Sequence, residues 1–61
     1  MLPEENILVL SQLISSLKEE IMVLEGTSDM KNAAMIKVRM EKLNEEIKRS
    51  ISTIKLEMKS I

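Results

Sequence analysis

Cysteine, histidine, phenylalanine, tyrosine and tryptophan are all missing from this chain of 61 residues, and glycine and proline occur once each. Without Cys there is no disulfide and no thiolate ligand, and the redox compartment is left unmarked. Without His, the side chain best suited to proton transfer near neutral pH and to transition-metal ligation is gone. Without aromatic rings, unpaired bases have no stacking platform, which removes the usual mode of single-strand binding. A net charge of −1 leaves no whole-chain basic footprint. No unbroken apolar run is longer than that of Ile7-Leu8-Val9-Leu10, far short of the ~20 residues a membrane span needs. Glu4 and Glu5 follow Pro3 at once, where a secretory leader would carry basic residues. The expectation is a cytoplasmic protein with no membrane span.

A chain of this length is a single domain, residues 1–61, in the range where one core is marginal. Small chains are completed by disulfides, by metals or by further subunits. The composition closes the first route and empties the second of Cys and His, so a partner chain is expected.

What is present is helical periodicity. Pro3 suits a first helical position, and Glu4 and Glu5 face the positive end of the helix dipole. Ile7, Leu10, Ile14, Leu17, Ile21 and Leu24 alternate in steps of three and four, a heptad seam with Ile at each a and Leu at each d, widened by Leu13. Gly26 stands where a helix takes a left-handed closing residue, and Thr27, Ser28 and Asp29 offer three N-caps in a row. The second seam is Ala33, Ile36, Met40, Leu43, Ile47, Ile51, Ile54, Met58 and Ile61. At ~100° per residue these positions fall within an arc of roughly 80°. The step from Ile47 to Ile51 adds a four-residue spacing, a stutter that relaxes supercoiling.

The expected fold is all-α: helix 3–25, turn 26–28 and helix 29–61, folded as an antiparallel hairpin that assembles as a dimeric four-helix bundle. Folding about Thr27 sets Pro3 opposite Ile51, so residues 52–61 would overhang with Ile54, Met58 and Ile61 uncovered. Parallel pairing of the Ile/Leu seam and higher oligomers stay open at this point.

Chemistry-bearing constellations are few. The Ser and Thr hydroxyls have no His to activate them. Ser15 and Ser16 read as small spacers and Ser28 as a cap. The acid pairs Glu4/Glu5, Glu19/Glu20 and Glu45/Glu46 point ~100° apart along a helix and do not converge. Glu41 and Glu45 could share a hard cation at i,i+4, but Lys42, Lys48 and Arg49 make that a solvated ion-pair face. No Gly-rich phosphate loop exists. No catalytic residue, cofactor site, metal site or small-molecule substrate is expected, and the chain reads as a non-enzyme.

Three surfaces are candidates for binding. The seam with its overhang fits either self-association or a groove on a different chain. A second patch, Met22, Val23, Met30, Ala34 and Val38, lies off the seam near the turn, with Met35 close in sequence, and Leu8 and Val9 repeat the Met22 and Val23 positions. With six Met in the chain, it has the character of an adaptable binding surface. The third is charge: residues 1–29 hold one Lys against six acids, and residues 30–61 hold eight basic against four acidic residues. Lys37, Lys48, Lys55 and Lys59 fall within ~40° on the second helix and could follow a phosphate backbone. The simpler account is a basic helix complementing an acidic one, aided by Glu45–Arg49 and Lys37–Glu41.

In length, turn position and seam the chain resembles two kinds of small helical hairpin, the dimeric RNA-binding copy-number regulators of plasmids and the two-helix chaperones of type III secretion needle subunits. The small Spo0E-type phosphatases share the outline, but their Ser-Gln-Glu-Leu-Asp motif on the second helix is missing here. The reading is a small regulatory, adaptor or chaperone-like protein that binds protein, itself included, through an amphipathic helical surface. The alternative is a dimeric nucleic-acid binder using the Lys row.

Overall fold

The computed structural model describes residues 3–60, which form two helices, α1 (Pro3–Glu25) and α2 (Met30–Lys59), packed against each other as an antiparallel hairpin measuring 48 × 14 × 13 Å. Ile61 of the expected seam lies outside the described residues. α1 starts as expected, at Pro3 with Glu4 and Glu5 in its first turn. Of the three candidate caps Asp29 is the one used, its carboxylate accepting from the Lys31 amide at 3.0 Å, so α2 begins one residue later than expected.

The turn departs from expectation. Gly26 does not take up a left-handed conformation. Its amide still bonds to the carbonyls of Met22 and Val23, and the Thr27 amide bonds to that of Leu24. The Thr27 hydroxyl donates to the Val23 carbonyl at 2.7 Å. Together these groups satisfy the last carbonyls of α1 with continued helical turns, so no reversal of handedness is needed.

Because α1 in effect runs on to Thr27, the chain folds back later than that residue. Val23 and Thr27 share a groove with Asn32 and Ile36, Glu20 meets Arg39, and Asn6 donates to the Glu57 carboxylate. The expected overhang of residues 52–61 is therefore wrong for most of its length. Ile54 is covered by α1 and is 8% exposed, one of two buried side chains among the described residues, with Ile36 at 3%.

The seam also differs. On α1 the half-buried positions are Asn6, Leu10, Leu13, Leu17, Glu20 and Leu24, and on α2 Ala33, Ile36, Met40, Leu43, Ile47, Ser50, Ile54 and Glu57 are buried or half-buried, with Glu46 half-buried beside Ile47. Both sets keep unbroken three–four spacing, so the stutter at Ile51 is not used. Leu10, Leu17 and Leu24 belong to two overlapping heptad registers. The interhelix contact takes the one containing Asn6, Leu13 and Glu20, and leaves Ile7, Ile14 and Ile21 on its flank.

Candidate functional site

That choice of register gives the hairpin two unlike sides. On one, a shallow groove of ≈ 250 Å³ is lined by Leu17, Ile21, Met40, Glu41 and Asn44. Heptad steps rotate by only ~20°, so Ile7 and Ile14 lie on the same side as Ile21. Ile51 and Met58 follow Met40 by three and five whole turns, to within ~20°, and join it. Ile7, Ile14, Ile21, Ile51 and Met58 are between 37% and 61% exposed. They lie along one side of the hairpin as an apolar strip that the two helices cover only in part.

The other side is polar at its centre. Its groove of ≈ 340 Å³ is lined by Ser16, Glu20, Arg39, Lys42, Leu43 and Glu46, and the Arg39–Glu20 ion pair bridges it. Toward the turn Val23 and Met35 share a smaller groove of ≈ 200 Å³ with Asn32 and Ile36.

A compact monomer of 7.0 kDa exposes about 4,000 Å², whereas this hairpin exposes 5026 Å². The surplus of about 1,000 Å² goes with the elongated 48 × 14 × 13 Å shape.

The expected seam residues thus fall into two sets. Leu10, Leu17, Leu24, Ile36, Met40, Leu43, Ile47 and Ile54 close the hairpin, and Ile7, Ile14, Ile21, Ile51 and Met58 face outward. The second patch is not one surface. Val23 lies beside Met35 in the groove near the turn, whereas Met30, Ala34 and Val38 run along the outer side of α2 and Met22 along the outer side of α1, all exposed. Leu56 is exposed on the same side of α2, five turns beyond Val38. Its signal in the sequence was the eighteen-residue spacing from Val38.

Lys37, Lys48, Lys55 and Lys59 are all exposed. Among the described residues the ion pairs are Arg39–Glu20 and Lys48–Glu45, the latter at 3.7 Å. The expected Glu45–Arg49 and Lys37–Glu41 pairs are not formed, and Glu45 takes Lys48 one residue nearer. Among the described residues no cluster of acidic side chains is arranged to hold a metal ion, and no helix is long and apolar enough to cross a membrane. The chain matches no protein-family model, no curated protein and no solved structure.

Proposed function

We propose that this chain is a non-enzymatic protein-interaction module. Two copies bury their apolar strips against each other as a dimeric four-helix bundle, and the remaining helical surface serves a regulatory, adaptor or chaperone-like role. One observation carries the reading: five large aliphatic side chains stand 37–61% exposed in one strip, on a hairpin with two buried residues among those described. Contiguous apolar surface on this scale marks an interaction site. Beyond the strip, Met22, Val23, Met30, Ala34 and Val38 remain exposed and supply adaptable thioether and aliphatic contacts for a further protein.

Sedimentation equilibrium at micromolar concentration tests the self-association, the expected mass being twice 7.0 kDa. A folded monomer, helical throughout α2 in solution, overturns it. The exposure of Lys37, Lys48, Lys55 and Lys59 along one row supports a second reading, contact with a nucleic-acid backbone. Salt separates the two, because phosphate contacts weaken steeply as salt rises and burial of an apolar strip does not.

A further inference from the structure

The proposed dimer has two ways to form, and they differ in which helix meets which. With the two-fold axis parallel to the helices, α2 of one copy lies on α1 of the other and both turns sit at the same end. With the axis perpendicular, α1 lies antiparallel on α1, α2 on α2, and the turns sit at opposite ends. We infer that the second copy docks in the first way, selected by the charges that border the apolar strip; the inference rests on the self-association proposed above.

The strip's outer border on α1 is the heptad row Glu4, Ser11, Lys18 and Glu25, and its border on α2 carries Lys37, Glu41, Lys48 and Lys55, all of them exposed. Heights along the hairpin are set by the contacts already described. Glu20 is level with Arg39, Leu17 and Ile21 are level with Met40 and Glu41, and Thr27 is level with Asn32. Lys18 therefore lies near Glu41, Glu25 near Lys37 and Ser11 near Lys48, and at the open end, where Asn6 meets Glu57, Glu4 lies between Lys55 and Lys59.

Rotation about an axis parallel to the helices preserves these heights and brings each border onto the other border of the second copy. Lys18 then faces Glu41, Glu25 faces Lys37, and Glu4 faces the stretch between Lys55 and Lys59, all opposite in sign, with Ser11 neutral. The same rotation sets Ile21 near the level of Met40 and Ile51 between the levels of Ile7 and Ile14, apolar against apolar. The perpendicular axis instead sets Glu4 against Glu25 of the second copy and Ser11 against Lys18. It also brings the acidic helix, near −5 over residues 1–29, onto its own copy. Like charges at an interface cost affinity and opposite charges fix register.

The chain has no Cys, so a single nitroxide label on Ser28→Cys reports the distance between turns. Turns at the same end are separated by the width of a bundle, roughly 15–30 Å with the label arms, since packed helix axes lie ~8–10 Å apart. Turns at opposite ends are separated by nearly the molecule's 48 Å length. A short distance is the expected result. A long distance, or both together, overturns the inference while leaving the dimer intact. A monomer by sedimentation removes the dimer itself.

The sign of one charge reversal gives an independent reading. Glu25→Lys takes an acid away from the carboxyl-terminal turn of α1, where a base is better placed, so the fold tolerates it. In the same-end dimer it sets like charges together twice and weakens association, by about tenfold. In the opposite-end dimer it would tighten association by pairing with Glu4. Adding Lys37→Glu restores affinity in the first case alone, and tightening by Glu25→Lys alone overturns the inference.

Discussion

Arg39 and Glu20 join the two helices on their polar side, the Arg39 Nε–H shared between both carboxylate oxygens of Glu20 at 3.2 and 3.3 Å. Glu20 occupies an inward heptad position yet stays half-buried because the guanidinium meets it at the groove's edge. Half of the Arg39 side chain is open to water, and ion pairs so exposed contribute ~0.2–1 kcal/mol. Arg39→Met should therefore lower stability by less than ~1 kcal/mol, with the loss shrinking in high salt. Urea denaturation at two salt concentrations reads this, and a loss above ~2 kcal/mol would mean that the pair is desolvated.

Gly26 should be replaceable. Its φ is not positive, and a Cβ built on it meets the Val23 carbonyl oxygen at 3.8 Å and that of Met22 at 3.9 Å, ordinary contacts. Gly26→Ala reduces the freedom of the unfolded chain and should stabilise the protein by ~0.5–1 kcal/mol. Thermal or urea unfolding of this variant tests the turn directly, since a left-handed Gly26 would give a loss.

Asp29 carries the start of α2 through one bond to the Lys31 amide. Asp29→Ala should cost ~1 kcal/mol, and Asp29→Ser should recover most of it. Hydrogen exchange should locate the change in the first turn of α2. Equal stability of Asp29→Ala and the parent chain would shift the cap to Thr27 or Ser28.

Ile54 tests the register. Buried against α1, it should lose ~2–4 kcal/mol on change to Ala, whereas Leu56→Ala, two residues away and exposed, should stay within ~0.5 kcal/mol. Similar small losses for both would put residues 52–60 back in the role of an overhang.

Two aspartate substitutions separate folding from association. Ile47 lies in the interhelix seam, so Ile47→Asp should unfold and dissociate the protein together, because an unpaired carboxylate is not buried cheaply. Ile14 stands on the outward strip, so Ile14→Asp should abolish association and spare the intrahairpin contact. Circular dichroism with sedimentation reads both. A dimeric Ile14→Asp variant would place the interface elsewhere.

Periodicity, the single Gly and the cap cluster were enough to specify two helices packed as an antiparallel hairpin. These depend on local rules: where apolar residues recur, where an acid caps, where the run of turns stops.

Which flank of a broad apolar stripe would face the other helix was beyond such rules. Leu10, Leu17 and Leu24 serve two registers equally, and the Ile row is the more apolar of the two, so the sequence by itself pointed to Ile7, Ile14 and Ile21 as the contact. Only the tertiary structure decided otherwise, because a single partner helix covers one side of a stripe this wide. It turned Leu13 and Glu20 inward, let Glu57 reach Asn6 where the seam reading had placed Met58, and left the Ile row facing out. The physical reason is that periodicity fixes angles around one helix axis, whereas the fold-back point and the side on which the second helix lies depend on contacts between residues far apart in the chain.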